Sequence, residues 1–470
     1  MDKSNPTDVE NQNKDTVKHV EDGSQSATEA DIKEKYVEGQ QQKEPYEGWR
    51  NPGWRTVFGS FLVSFYLWGV TYGWGVFEVL YLDIYPEVSK FSMSFVGPLV
   101  ISMTCWMGPL SLGFIQRVQS YRLAYFASAI ICPLSLVLAS FATQFWQIAL
   151  CQGIAFGAGG GCAYLASCLL PAQWFVRNRG LASSIAVAGG SVGPVVICPI
   201  IQAMIDSSLG YRNALRVLAV MGFVMLGLSA ILTQSPTPVK RNPDWWKIVD
   251  RQAFFNMKYA FWILGIIFIT FGYFAACLLI PLYSKSIGAS PSLGSGLVSV
   301  NFAVNCVSRI LLGYLADRLG AINVLLLTSL LTGTRKFMSD ANTHRSYKVI
   351  NGGDEICVGV FVMVVWQFSQ TVPVYVVFCV LFGATGGTFL GLMPSCIARI
   401  AGMPMIVKGL CLSYIIGTIG ILFGDPIAGA LLSQYSWTAA IQFLGAVYIA
   451  SSIVTLLSRR LIVDKLITKV

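Results

Sequence analysis

The sequence predicts an all-α membrane protein whose twelve helices form two six-helix bundles. Three observations support this fold class: apolar runs as long as a bilayer is thick, an uneven distribution of basic residues between the loops, and a repeat after six helices. The chain has 470 residues, of which 54% are hydrophobic and only 12% are charged. An apolar run of about twenty residues matches the ~30 Å hydrocarbon core at ~1.5 Å rise per residue. A soluble fold is therefore excluded.

The chain begins with a polar segment, residues 1–53, which carries half of the acidic residues. Twelve of the 24 acidic residues lie among the first 50 positions. Such a segment cannot bury enough apolar surface to offset the entropy of the free chain, so we expect a disordered cytoplasmic tail. No apolar segment follows the start, and we therefore expect the first membrane helix to direct insertion without a cleavable signal peptide.

Apolar runs follow one another beyond Gly53. Eleven continuous runs predict helices near 54–76, 93–115, 121–141, 145–169, 181–204, 214–233, 259–283, 294–316, 372–395, 409–430 and 437–458. A further run is interrupted, because 323–333 and 358–367 are each too short to cross a bilayer. Joined together they give 21 residues, which is one span, the ninth of twelve.

The interruption, residues 334–357, consists of 24 mostly polar residues that include several charges. A lipid-exposed loop of this kind would leave backbone groups and charged side chains unsatisfied in hydrocarbon. Our hypothesis is that the segment is a translated, unspliced intron within helix 9. The alternative is a genuine extracellular or cytoplasmic excursion, with neighbouring residues shifting to rebuild the span.

The basic residues support the count of twelve. With the N-terminal tail inside, loops and tails on the cytoplasmic side carry sixteen Lys and Arg, and the opposite loops carry four. This bias follows the positive-inside rule and places both termini in the cytoplasm. Eleven helices would instead place the loop with Arg399 and Lys408 outside. We expect the plasma membrane as the location, with the vacuolar membrane as the alternative.

Two halves of the sequence resemble each other. FGAGGG (156–161) in the fourth helix is similar to FGATGG (382–387) in the tenth, and Leu-Gly ends both the second and the eighth helix. Glycine-rich helices of this kind suit close helix packing. Two parallel repeats packed around a central cavity are typical of transporters. After the N-terminal tail, the sequence therefore predicts four segments: an N-terminal bundle 54–233, a cytoplasmic linker 234–258, a C-terminal bundle 259–460 and a cytoplasmic tail 461–470.

The stretch GYLADRLG (313–320), at the cytoplasmic end of the eighth helix, resembles the G-x-L-x-D-R-x-G signature of the major facilitator superfamily. The resemblance implies a gating clasp in which Asp317 accepts hydrogen bonds and Arg318 supplies positive charge. Gly313 would allow the close helix approach. The corresponding stretch in the first half, GFIQRVQS (113–120), departs from the signature, so the clasp is expected to be asymmetric.

The stretch QWFVRNRGLASSIAVAGGSVGPVV (173–196) resembles the motif of the monocarboxylate transporter family, also called monocarboxylate porters. Its Arg177 and Arg179 lie at the cytoplasmic lipid boundary, where they serve either gating or topology. The small-residue face of Gly189 and Gly193 is expected to serve helix packing rather than ligand contact. The resemblance covers about residues 50–460, and the long tail and short central loop are similar to the fungal branch. It implies solute transport by alternating access.

Arg309 is an ionisable residue inside the eighth span, and such a residue is costly unless it faces a cavity. Arginine can hold a carboxylate with two parallel hydrogen bonds. In the family that the chain resembles, the corresponding arginine binds the substrate anion. We therefore predict that Arg309 binds substrate or serves coupling, with an internal structural ion pair as the alternative.

Two positions depart from the pattern of lactate–proton carriers. Asn305 replaces the Asp that takes up the proton there, and Tyr72 aligns with their Lys in the first helix. Simple lactate–proton symport is thereby disfavoured. Trp68, Tyr72, Tyr164, Asn301 and Asn305 are the predicted substrate-binding residues beside Arg309, and they suit a larger, partly apolar or aromatic acid. The alternative for each aromatic residue is a place in the core or against lipid.

Asp425, in the eleventh span, is the one acid that this assignment of spans places inside the membrane. It is either a proton-coupling site or a partly hydrated acid near the outer rim.

The sequence thus predicts a secondary active transporter for a small organic solute: a monocarboxylate-like or aromatic organic acid, or a secondary metabolite. Efflux of a metabolite made by a biosynthetic gene cluster is one alternative, and a nutrient sensor built on a transporter fold is another. An enzyme is not expected, because both histidines, His19 and His344, lie in polar segments and the predicted spans hold no close acid pair. The expected partners are the solute, a proton as candidate coupling ion, and the lipid bilayer, with no nucleic acid. The cysteines lack a C-x-x-C pair and are expected to be buried thiols, so no metal or other cofactor is predicted.

Overall fold

The computed structural model describes residues 50–175, 179–236, 239, 257–319, 362–387, 389–390, 393, 397 and 406–462. The chain divides into two units, Met1–Asn51 and Pro52–Val470, and of the first unit only Arg50 and Asn51 are described. The proposed intron 334–357 lies wholly outside the described residues. The predicted N-terminal tail, linker and C-terminal tail lie largely outside them.

The second unit is helical. Its long helices, in the part that the structure describes, are α1 Gly53–Ile84, α2 Val96–Val118, α3 Tyr121–Ser140, α4 Phe156–Leu169, α5 Arg179–Asp206, α6 Gly210–Leu232, α7 Met257–Leu278, α8 Pro291–Leu319, α9 Val372–Thr385, α10 Ile406–Gln434 and α11 Trp437–Ile462. Shorter helical segments flank them at Lys90–Met93, Phe145–Ile148, Ala149–Ala155, Pro171–Trp174, Ile280–Ser286 and Val362–Trp366. Helices α9, α10 and α11 are the tenth, eleventh and twelfth predicted spans. Among the described residues, eight helical segments are long and apolar enough to cross a bilayer.

Helix α1 is longer than the sequence predicts. The predicted span ends at residue 76, whereas the helix continues to Ile84 and spans 32 residues. The amide of Tyr85 still donates to the carbonyl of Tyr81, and the chain leaves the helix immediately before Pro86. The residue that precedes a proline is disfavoured in the helical conformation, which accounts for this end point. The extension brings Glu78 into the helix.

The packing repeats after six spans. Helix α1 packs on α5, and their counterparts α7 and α10 pack on each other. Helix α2 packs on α4, as α8 does on α9, and α3 packs on α6, as Val362–Trp366 does on α11. The halves meet through α5 on α8 and through α2 on α10, which are again equivalent pairs. The internal repeat seen in the sequence is therefore present in the packing.

Glycines allow the closest of these contacts. In α5, Gly189 and Gly193 lie on the backbone of α1, and a Cβ at Gly193 would collide with the carbonyl oxygen of Phe65. In α10, Gly420 has the same relation to the carbonyl of Ile267 in α7. The prediction that Gly189 and Gly193 serve packing is confirmed. Their counterpart in α10 was missed, because no sequence motif marks it.

Candidate functional site

Asn305 of α8 lies where the two halves meet. Its Oδ1 accepts a hydrogen bond from the hydroxyl of Ser191 in α5, with 2.9 Å between the oxygens. Its Nδ2 donates to the carbonyl of Gly383 in α9 at 3.0 Å. One and a half turns away, the hydroxyl of Ser299 donates to the carbonyl of Val195 at 3.0 Å. The side chain of Asn305 is thus held from both sides, and it joins α5 of the first half to α8 and α9 of the second.

Arg309 lies one helical turn beyond Asn305, on the same face of α8. A Cβ on Gly387 would lie 3.0 Å from Nη2 of Arg309. It would lie 2.9 Å from the hydroxyl oxygen of Tyr273. The same Cβ would collide with Nδ2 of Asn305, so the glycine allows the backbone at Gly387 to pack directly against Asn305, Tyr273 and the guanidinium. The predicted FGATGG repeat supplies this glycine.

The guanidinium of Arg309 has no acidic partner among the described residues. Its Nε is buried and makes no hydrogen bond there. The ion pair that the described residues do form joins Lys285 to Asp83 elsewhere. The charge of Arg309 acts instead on the hydroxyls of Tyr72, Tyr164 and Tyr273. Within the described part of the chain, an internal structural ion pair, the alternative role, is not formed.

The predicted aromatic residues are brought together between the halves. Trp68 of α1 stacks on Phe274 of α7 at 6.0 Å between ring centroids and contacts Tyr164 of α4 edge-on at 5.4 Å. Tyr72 packs on Phe302 of α8 at 4.3 Å. We call these five residues the aromatic cluster. Their side chains pack against one another. In this conformation they therefore lie in the protein core, which was the alternative given for each aromatic residue.

Phe274, Phe302 and Tyr273 were missed by sequence reasoning. Each lies on a helix other than the one whose residue it contacts, and a single sequence contains no signal for such pairing. Asn301, which was predicted, lies one turn before Asn305 and is 1% exposed. Its side-chain oxygen is buried and makes no hydrogen bond within the described residues. It remains a candidate acceptor for a ligand donor.

The arrangement suits one kind of solute. A cation without an acidic partner attracts an anionic group, and this attraction is strengthened where water is excluded. The aromatic cluster beside it provides apolar surface, and the two asparagines provide a few directed polar groups, which is the usual composition of a small-molecule site. The site therefore suits an organic anion with an apolar or aromatic body.

The predicted gating residues cannot be placed. The backbone of α8 remains helical through Gly313, Asp317 and Arg318. The side chains of Asp317 and Arg318 are outside the described residues of the structure. Arg177 lies wholly outside them, and Arg179 begins α5 with a side chain that is also outside. The clasp stays a prediction.

Asp425 is buried rather than hydrated. Its side chain is 1% exposed, and neither carboxylate oxygen has a hydrogen-bond partner among the described residues. This burial contradicts the partial hydration that the alternative predicted, whereas a place toward the outer rim stays a prediction. Glu78 of α1 is 2% exposed, and its charge acts on Asp425. The inference that no span holds a close acid pair is also wrong, because the first span was ended before Glu78.

Ten cysteines lie in the described part of the chain, and all of them are free. Within that part, no group of three or more His, Cys, Asp or Glu residues could hold a metal ion.

Comparison with known proteins gives both a family and relatives. The model of the Major Facilitator Superfamily matches residues 57–334, more than half of the chain. The chain is 27% identical to the MFS-type transporter pynF of Aspergillus niger over 412 residues, which cover 86% of this chain and 88% of the relative. It is 27% identical to the Aspyridones efflux protein apdF of Emericella nidulans, with 86% and 77% covered. It is 26% identical to the Agnestins efflux protein AgnL12 of Paecilomyces divaricatus, with 88% of each covered.

Proposed function

Because the chain belongs to the major facilitator superfamily and is a membrane transporter rather than an enzyme, we propose that it exports an organic anion with an aromatic or apolar body. The solute binds between the halves and is moved by alternating access. Arg309 receives the anionic group, and the residues of the aromatic cluster separate to receive the body of the solute. Asn301 and Asn305 orient it.

The observation that carries this proposal is the guanidinium of Arg309. It lies at the junction of the halves, and its Nε is buried and makes no hydrogen bond among the described residues. Arg309 is partly buried, and a charge removed from water without a counter-charge is costly, a cost that is usually maintained for function. An arriving anion would supply the missing partner.

The direction of transport is proposed from the relatives. Two of them carry efflux in their names, for aspyridones and for agnestins, and both align along more than three quarters of their length. Export of a secondary metabolite is thus favoured over uptake. The solute of this chain is proposed only as a chemical class.

We also propose a family within the superfamily, the monocarboxylate porters. The motif at 173–196 supports a transporter of the monocarboxylate-porter type. Asn305 and Tyr72 argue against lactate–proton symport, because neither supplies the Asp and Lys of the lactate carriers. We propose a related carrier with a larger and less polar solute.

We also propose the topology that the sequence predicts: bundles at 54–233 and 259–460, both termini in the cytoplasm, and the plasma membrane as the location. The described contacts between the halves include the hydrogen bond of Asn305 with Ser191. At the proposed outer end they include the ion pair of Lys285 with Asp83, with 3.0 Å between Nζ and Oδ2. This pattern supports an outer end that is closed in the structure.

Transport into and out of lipid vesicles that contain the purified protein tests the proposal. The probes are radiolabelled phenylpyruvate, lactate and the neutral phenylethanol, each at two pH values. Phenylpyruvate should move faster than in protein-free vesicles and faster than lactate. Arg309→Gln should raise the KM for phenylpyruvate about 10- to 100-fold, because it removes a charged hydrogen bond. If Arg309→Gln transports at the unaltered rate, or none of the acids moves, the proposal is wrong.

A further inference from the structure

Two buried carboxyl groups lie at the junction of the halves, on the two helices that Ser94 contacts. Glu78 belongs to α1 in the first half, and Asp425 belongs to α10 in the second. Their side chains are 2% and 1% exposed. Neither residue has a role in the solute site described above.

The surroundings of the pair are specific. The hydroxyl of Ser94, just before α2, donates to Oε1 of Glu78 at 3.0 Å. The same hydroxyl oxygen is 3.0 Å from where a Cβ on Gly429 would lie. Gly429 is one turn beyond Asp425 on the same face of α10. Ser94 thus holds Glu78 against the face of α10 that carries Asp425, while the oxygens of Asp425 have no hydrogen-bond partner among the described residues.

Four described basic residues lie at this end of the molecule, and none of them forms an ion pair with Glu78 or Asp425. On α6, Arg212 donates to the hydroxyl of Tyr211, and Arg216 donates to the hydroxyl of Ser140 and to Oδ1 of Asn213. Lys90, on the turn packed against α10, is exposed to the outside. Lys285 is exposed and bonds Asp83, with 3.0 Å between Nζ and Oδ2. The described side chains of α2, α7 and α11 contribute no charged group at this end. Of the described groups, the one whose charge acts on Asp425 is Glu78, which has the same sign.

Glu78 and Asp425 cannot both stay ionised in this buried place, because each would carry a negative charge. An ionised carboxylate that is buried without a counter-charge is very unfavourable, and it avoids this cost by binding a proton. Two carboxyl groups that share a site take up and release their protons as a coupled pair. The closed outer end therefore requires at least one bound proton.

We propose that Glu78 and Asp425 together form the proton-binding site that couples proton entry to solute export. The inference rests on the proposed function and adds the coupling ion and its site. When the halves separate at the outer end, the pair meets the outer solution, and a lone pair on a carboxylate oxygen forms an O–H bond with an incoming proton. Closure buries the neutral pair. After the return step the O–H bond breaks, its electrons stay on the carboxylate oxygen, and the proton passes to the cytoplasmic side.

A sodium ion would be the other occupant of two carboxylates and a hydroxyl. Hard cations need about six oxygen ligands, and Ser94 is the hydroxyl that the described residues place against the pair. A proton needs only one carboxylate oxygen. The proton is therefore favoured as the occupant, and the experiment below tests whether sodium binds instead.

The first experiment reads the proton directly and needs no solute. Infrared spectra of the purified full-length protein, recorded across a pH series without sodium, contain the C=O stretching band of protonated carboxyl groups, which carboxylates lack. We expect a band at neutral pH that shifts in D₂O and is lost or reduced in both Glu78→Gln and Asp425→Asn. Asp206→Asn, which alters an exposed acid at the same end of the protein, should leave it unchanged.

The second experiment uses vesicles and labelled phenylpyruvate. In Glu78→Gln and Asp425→Asn the neutral amides imitate the protonated acids, so exchange of phenylpyruvate should persist while the pH dependence of net transport disappears. Asp206→Asn should keep that dependence. A neutral-pH band that is unaltered in both variants overturns the proposal, and so does a band abolished by sodium at constant pH. If no acid in the panel is transported, the proposed function fails, while the infrared result still decides whether the pair binds a proton.

Discussion

Ser191 and Asn305 are joined by a hydrogen bond that links the two halves of the protein, with 2.9 Å between the hydroxyl oxygen and Oδ1. The amide of Asn305 also donates to the carbonyl of Gly383. An asparagine can accept one bond and donate the other, whereas an ionised aspartate can only accept. The two partners therefore fix the orientation of the amide and require its neutral form.

Asn305→Asp should weaken transport of anions rather than restore a lactate carrier. The new carboxylate would lie one turn from Arg309 and neutralise the guanidinium that we propose for the solute. It would also face the carbonyl of Gly383 without a proton to donate. We expect the KM for phenylpyruvate to rise about 10- to 100-fold, as for the loss of one charged hydrogen bond. Initial rates in vesicles over a range of concentrations measure it.

The control for this substitution is Ser299→Ala. It removes another hydrogen bond between α5 and α8, at 3.0 Å from the carbonyl of Val195, without adding charge. A neutral hydrogen bond contributes about 0.5–1.5 kcal/mol, so its KM should change by less than about 15-fold. Equal KM values for Asn305→Asp and the unaltered protein would contradict the role given to Arg309.

Part of the site could be predicted from the sequence, because it depends on relations within one helix. Arg309 stands out as a charge in an apolar run, and its position one turn from Asn305 follows from the period of a helix. Gly387 and Tyr273 beside it come from other helices, and their contact depends on tertiary packing. Glu78 was missed for another reason: the predicted span ends at residue 76, whereas the hydrogen bonds of α1 continue to Tyr85.

The segment 334–357 supplies a prediction about the gene rather than the protein. The ninth span is complete only when 323–333 is joined to 358–367, and its counterpart in the first half, α3, is an uninterrupted 20-residue helix. We expect the mature transcript to lack the codons for 334–357. Sequencing of complementary DNA across this region measures it, and a spliced message that still encodes the segment would refute the intron hypothesis.

Gly193→Ala should destabilise the first half. A Cβ there would collide with the carbonyl oxygen of Phe65 and come within 3.0 Å of the amide of Gly69, and backbone atoms cannot rotate away. Overpacking costs about 1–3 kcal/mol, which lowers the Tm by roughly 2–4 °C per kcal/mol for a domain of this size. Thermal unfolding of the purified protein in detergent measures the change.

Gly227→Ala is the matched control, because no atom lies within 4 Å of its new Cβ. Both substitutions favour the helix by about 1 kcal/mol, so their difference isolates the collision. A Tm for Gly193→Ala that equals or exceeds that of Gly227→Ala would show that α1 and α5 can separate without cost.

Gly75→Ala should act on the transport cycle more than on stability. A Cβ on Gly75 of α1 would lie 2.9 Å from the carbonyl oxygen of Leu278 and 3.3 Å from Cγ of Pro281, both in the second half. The collision exists only while the halves are closed at this end. We expect this closed state to lose about 1–3 kcal/mol, and phenylpyruvate turnover to fall about 5- to 150-fold where closure limits the rate.

Gly296→Ala separates that effect from helix propensity, because Gly296 lies on α8 and no atom lies within 4 Å of its added Cβ. It should transport at nearly the unaltered rate. The Tm of Gly75→Ala should fall less than that of Gly193→Ala, since packing within each half is intact and only the contact between the halves changes. Should Gly75→Ala and Gly296→Ala turn over phenylpyruvate equally fast, the approach of α1 to Leu278 is not part of the cycle, and the outer ends would have to close elsewhere.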